Sequence, residues 1–168
     1  MRTLTLVGVL VLLSFSAVAQ QPAQPAQPPP PPTDPTKAAY MSAKDFAAAI
    51  AKQPTDRNGN VRIFNLAPYN VGVEHRMPGP QNAAIHDLDA ELFYVIDGAA
   101  TIVTGGKIVN PTRPNPNNTN GTAIEGGVSQ VLGKGDFVLV PEGVPHWFTD
   151  IKGSLTQIAL HLPRSPAQ

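Results

Sequence analysis

Few side chains in this chain are able to do chemistry. Four of its 168 residues are histidines, His75, His86, His146 and His161, and none is a cysteine. Thiolate metal sites, cysteine nucleophiles and disulfides are therefore excluded. The sequence also contains no serine nucleophile elbow, glycine-rich phosphate loop or dinucleotide fingerprint. Two stretches with regular spacing remain. In the first, Gly135 is followed by five residues, Pro141, one residue, Gly143, two residues and His146. In the second, Glu91 follows His86 by five positions and Gly98 follows Glu91 by seven. If they meet, two imidazoles and one carboxylate form the facial set used for non-haem iron and related divalent metals, with positions left for water or substrate. Taken singly, each has an ordinary alternative: a histidine at a strand start is often a hydrogen-bonded structural residue, and a glutamate there often faces solvent.

The elements that position these residues are mostly strands. Phe137 to Val140 is β-rich and runs into a Pro-x-Gly turn, so the chain reverses tightly and the turn sets where His146 points. On one uninterrupted strand, positions five apart face opposite ways. His86 and Glu91 therefore converge only if Asp87 to Ala90 turns or bulges the chain, which places Glu91, Phe93 and Val95 on one inward face. Further strands are expected at Val61 to Leu66, Val71 to Met77, Glu91 to Ile96, Ala100 to Thr104, Lys107 to Val109, Val128 to Leu132, His146 to Thr149 and Leu155 to Leu162. In the second of these, Val71, Val73, His75 and Met77 share one face, and Glu74 and Arg76 share the other. The apolar register of His75 opens a route to the site, against the commoner outcome of a satisfied core histidine. His161 alternates with the apolar set Ile158, Leu160 and Leu162, which predicts a surface or rim position. Trp147 points opposite to His146 and Phe148, toward packing or an interface. Asn110 to Gly121 reads as a long, mobile polar loop carrying two glycosylation-type sequons, at Asn117 and Asn120. Ahead of the strands, Ser42 caps an alanine-rich helix from Ala43 to Lys52, with Phe46 and Ile50 as its buried stripe. Many short strands after one helix predict an all-β sandwich or barrel.

The stretch from Gly135 to Asp150 resembles the second signature motif of the cupin superfamily, with Asp150 where that motif ends in asparagine. The stretch around His86, Glu91 and Gly98 resembles the first motif, with Ala84 in place of its first histidine and Gly79 one position out of register for its opening glycine. The resemblance covers roughly Gly79 to Asp150. It implies a single cupin-like β-barrel (a double-stranded β-helix or jelly roll) over residues 37–168, with one N-terminal helix. It further implies that His86, Glu91 and His146 bind a divalent transition metal inside the barrel: iron, manganese, nickel, copper or zinc. It also suggests a homodimer formed by sheet packing.

The chain's beginning reads as a targeting segment. Met1-Arg2 is basic, Leu4 to Val18 is almost wholly apolar, and Ala17-Val18-Ala19 is a small-x-small cleavage site, so residues 1–19 are expected to be a secretory signal peptide. Residues 20–36, with the proline run Pro28 to Pro32, form a Pro/Gln-rich linker expected to be extended polyproline II. An exported, periplasmic or extracellular protein follows from this. Its net charge is near zero, with 12 basic and 12 acidic side chains, so neither nucleic acid nor stable membrane insertion is expected. The expected partner is a small organic molecule in the barrel, either as substrate of a metal-dependent oxygenase, isomerase or lyase or as ligand of a metal-free binding barrel. A structural role is the third alternative. The sequence names no catalytic residue.

Overall fold

The computed structural model describes residues 32–164. The expected signal peptide and linker residues 20–31 lie outside the described residues. Among the described residues, no helix is long and apolar enough to cross a membrane. The last linker residues are tied to the fold: the Thr33 N–H donates to the Asn65 carbonyl at 2.8 Å, and the Asn65 N–H donates to the Thr33 hydroxyl at 3.1 Å.

Helix α1 spans Ala43–Ala51. Ser42 caps it as expected, its hydroxyl accepting from the Asp45 N–H at 3.1 Å, which satisfies one of the unpaired donors of the first turn. Phe46 and Ile50 are half-buried. The strands are β1 (Gly59–Leu66), β2 (Tyr69–Arg76), β3 (Ala83–His86), β4 (Asp89–Thr104), β5 (Lys107–Val109), β6 (Thr112–Asn115), β7 (Asn118–Gly121), β8 (Ala123–Glu125), β9 (Val128–Gly133), β10 (Phe137–Val140) and β11 (His146–Pro163). The polar stretch expected to be a mobile loop is instead the antiparallel hairpin β6–β7. Its asparagines and threonines fill ladder positions, with Asn118 opposite His86 and Asn120 opposite Ala84.

The fold is organised around one long antiparallel ladder. β4 and β11 pair from His146↔Thr104 to Pro163↔Asp89, with register shifts between Thr149 and Lys152 and between Lys152 and Leu155. These irregularities, with positive φ at Asp150 and Gly153, let the ladder fold over on itself, as bulges do in barrels. The strands expected separately at Glu91–Ile96 and Ala100–Thr104, and at His146–Thr149 and Leu155–Leu162, are therefore two halves of single bent strands. Gly98 sits at the fold-over, with φ of 87°, and a Cβ there would land on the Ser154 carbonyl oxygen. Around the ladder the sheet continues through β2 and β1 on one side and β3, β7 and β6 on the other, while β10 and β9 pair along β4.

The main core lies inside the fold-over and includes Phe93, Val95, Ile102, Phe148 and Leu155. The Phe93 and Phe148 rings meet edge to face, 5.1 Å apart. A second cluster, Ala83, Val103, Ile108 and Ile124 with Trp147 packed against it, lies beneath the small β5–β8 ribbon. Trp147 thus packs on the outer side, as its alternation predicted, and its Nε1–H donates to the Gln81 carbonyl at 2.9 Å.

Candidate metal centre

Four side chains from three strands meet between the layers. His86 ends β3, and the Asp87–Leu88 bend carries the chain into β4, so His86 and Glu91 point to the same place. Glu91, Phe93 and Val95 are all buried on one face of β4, as the alternation predicted. His146 opens β11 after the Pro141–Gly143 turn. That turn closes through a Val144 N–H to Pro141 carbonyl bond of 3.2 Å and has φ of 74° at Gly143. The Gly143 N–H then donates to the His86 carbonyl at 2.8 Å. The two spaced stretches are therefore hydrogen-bonded to each other at the backbone.

The three sequence-predicted residues come together. His86 Nε2 lies 3.1 Å from Glu91 Oε2, and His146 Nε2 lies 3.2 Å from the same oxygen. A fourth group joins them: His161 Nε2 is 3.3 Å from Glu91 Oε1. The expectation of a rim position for His161 is corrected here. The alternation was right, but the inward set is Gln157, Ala159 and His161, while Ile158, Leu160 and Leu162 lie on the outer face. The outer face is itself apolar, because Leu160 is flanked by Leu92 and Val71. His75 does not approach the site. Its Nδ1 is 2.9 Å from the Thr156 hydroxyl on the outer side of the sheet, and Glu74 and Arg76 are the β2 residues that point inward. Asp89, beside His161 Nδ1 at 3.8 Å, and Asn118 escaped the sequence reading; Asn118 lay in the stretch read as a loop.

Glu91 Oε2 faces two imidazoles and Oε1 a third, with Glu91 only 3% exposed. Burial pushes its carboxyl up, but the bonds from His146 and His86 outweigh this and hold it well below the usual carboxylate range. Burial alone pulls His86 down; the bonds to Glu91 and Asn118 reverse this and leave it raised. Asn118 Oδ1 lies 2.8 Å from His86 Nδ1, which favours the tautomer carrying its proton on Nδ1 and leaves the Nε2 lone pair facing the cluster. Asn118 is in turn held by its hairpin, where Arg113 binds both the Asp87 carboxylate and the Pro116 carbonyl at 2.7 Å.

Among these residues, His86, Glu91 and His161 form the group whose donor atoms fit a metal ion, and the expected ligand His146 is not part of it. Two donors each about 2.1 Å from an ion and at right angles lie about 3 Å apart, close to the imidazole–carboxylate distances in this cluster. One donor atom each from His86, Glu91 and His161 lie within 4.8 Å of one another. Ala84 adds nothing itself, but its Cα pairs with that of His146, and by alternation it shares the His86 side of β3.

No family profile matches the chain, and no curated protein matches it by sequence. Solved structures do match. TT1209 from Thermus thermophilus aligns over 74% of this chain and 100% of its own, with 15% identity and a TM-score of 0.52. An uncharacterised conserved Klebsiella pneumoniae protein with a double-stranded β-helix domain aligns over 76% and 91%, with 15% identity and a TM-score of 0.51. The cupin domain of Schizosaccharomyces pombe Cnp3 aligns over 64% and 61%, with 12% identity and a TM-score of 0.45. The bent ladder and the neighbours with TM-scores above 0.5 identify the fold of the chain as a double-stranded β-helix.

Proposed function

We propose that this is an exported cupin-domain protein that holds a divalent transition metal inside its barrel and binds or transforms a small organic molecule there. The observation that carries this reading is the convergence of the three Nε2 atoms on one buried carboxylate. His86, Glu91 and His146 are the expected ligands, and His161 supplies the imidazole that Ala84 does not. A bound ion would act as a Lewis acid or activate water or dioxygen. The chain's own part is to exclude bulk water with Phe93 and Phe148, fix the His86 tautomer through Asn118, and keep Glu91 ionised. Iron, manganese, nickel, copper and zinc all suit two or three imidazoles and a carboxylate.

One observation favours a second reading, a metal-free ligand-binding barrel. Each imidazole Nε2 is within hydrogen-bonding range of Glu91, so imidazoles protonated at Nε2 pair with the carboxylate without an ion, although His146 Nδ1 stays buried with no partner among the described residues. Metal content separates the two. The protein is purified without added metal or tag histidines. Near-stoichiometric metal that disappears in Glu91→Ala and His146→Ala supports the metal reading. Metal-free protein that takes up no divalent ion supports the second.

Export rests on the basic and apolar character of residues 1–19. A homodimer is part of the same proposal. Phe137 and Leu139 on the edge strand β10 are 67% and 57% exposed, and Tyr94 stacks against Phe137 with centroids 4.5 Å apart. Such an apolar outer face is of the kind that sheet packing buries.

A further inference from the structure

Four of the five described arginines are paired with a carboxylate: Arg57 with Asp56, Arg76 with Glu74, Arg113 with Asp87 and Arg164 with Glu142. The fifth, Arg62 on β1, is exposed and has no carboxylate partner among the described residues. The cross-strand register places it on the same face as the candidate metal centre, because residues directly opposite on neighbouring strands point to the same side. Phe93 is opposite Ala159, Ala159 is opposite Gly72, and Gly72 is opposite Arg62. The adjacent row runs from Glu91 to His161, then to Asn70 and to Asn65. The Arg62 guanidinium lies at the end of that second row, its Nη1 3.5 Å from Asn65 Oδ1. Asn65 stands two strands from His161, about 10 Å at the usual spacing, and the side chains reaching in from both ends shorten this to the length of a small molecule. Solvent reaches the other end too, since the His86 and His161 side chains keep 18% and 21% exposure.

We propose that Arg62 anchors the carboxylate of a small organic acid whose other end lies at the His86, Glu91 and His161 cluster. A guanidinium presents a planar fork that matches both oxygens of a carboxylate. Here that fork is open, whereas Arg76 on the same face is closed by Glu74. A dianionic phosphate fits less well. Asp89 and Glu91 already bring negative charge to this mouth, and one guanidinium answers a single charge. This deepens the reading of the barrel as a small-molecule site and rests on it, but not on the metal.

The test is isothermal titration calorimetry on the signal-cleaved full chain with succinate and benzoate, against their neutral amides and inorganic phosphate. Histidine ring signals are followed by NMR in the same titrations. Arg62→Ala and Arg62→Lys are compared with Lys107→Ala, which removes an exposed positive charge from the β5–β8 ribbon. Folding is checked by circular dichroism and metal content is measured on the same samples. The expected result is saturable binding of at least one acid, with movement of the His161 ring signals. Binding should weaken at least about tenfold in Arg62→Ala, less in Arg62→Lys, and stay unchanged in Lys107→Ala. Acid binding that persists in Arg62→Ala, falls equally in Lys107→Ala or leaves the imidazole signals unmoved overturns the proposal. Equal binding of the amides or tighter binding of phosphate overturns it too, and leaves the barrel as a small-molecule site. No saturable binding of any probe removes the proposal and the small-molecule reading together.

Discussion

Replacing His161 by alanine separates a metal ligand from an ordinary ion-pair partner. In the metal-free chain the loss is small. Glu91 keeps His86 and His146 on Oε2, and the His161 side chain is 21% exposed, so stability should fall by about 1 kcal/mol or less. Metal affinity should fall much further. Removing a group that merely orients a ligand costs about 10–100-fold, so removing a donor should cost at least about 100-fold, or about 2.7 kcal/mol at 1.36 kcal/mol per decade. The assay is zinc competition with a chromogenic chelator, with chemical denaturation of the metal-free proteins alongside. Adding Ala84→His to His161→Ala should recover at least about tenfold of the lost affinity, because that position lies beside His146 and on the His86 side of β3. If His161→Ala binds zinc within about threefold of wild type, His161 is a rim residue and the four-donor argument is wrong.

Asn118→Ala should lower metal affinity by about 10–100-fold with little change in fold, since it releases the His86 tautomer; the same chelator competition measures it. Metal affinity should also rise with pH. The folded chain raises His86 above its ordinary 6.5, so its proton stabilises the metal-free fold below that ordinary value, and this contribution is lost as pH rises through the raised one. The ion displaces that proton, and affinity levels off once His86 is deprotonated. Glu91 runs the other way. Its lowered value stabilises the metal-free fold above the ordinary carboxylate range, and this is lost on acidification, so denaturation midpoints of the wild type and Glu91→Gln should converge at low pH. Gly98→Ala should destabilise by about 3 kcal/mol or more in equilibrium denaturation, because its Cβ lands on backbone at a positive φ.

Much of the site is legible in the sequence, because turn chemistry is local. The Pro141–Gly143 turn, Gly98 and the alternation of Glu91, Phe93 and Val95 each reveal their geometry within a few residues. Local pattern fails where partners are distant. His161 reads as a rim residue because apolar neighbours ordinarily mark the buried side of a strand. In β11 they mark the outer face instead, while the inner face carries Gln157, Ala159 and His161. The only local warning was a glutamine in the same register. The same inversion hid Glu74 and Arg76 behind the apolar face of β2. Asn118 was lost because its stretch is rich in proline and asparagine, the composition of a loop. Its strand state comes from pairing with β3, which no window of that stretch contains.

The long β4–β11 ladder sets when the candidate metal centre is assembled during folding. His86 and Glu91 are neighbours in sequence, but His146 and His161 come from the other strand of the ladder, so the full donor set is absent until the two strands have closed and bent. Such non-local pairing forms slowly and late. A chain with this wiring cannot carry a fully coordinated ion through an unfolded state. If it crosses a membrane unfolded, any ion it binds at this cluster is taken up in the compartment in which the ladder closes, and the metal supply there would help decide which ion that is.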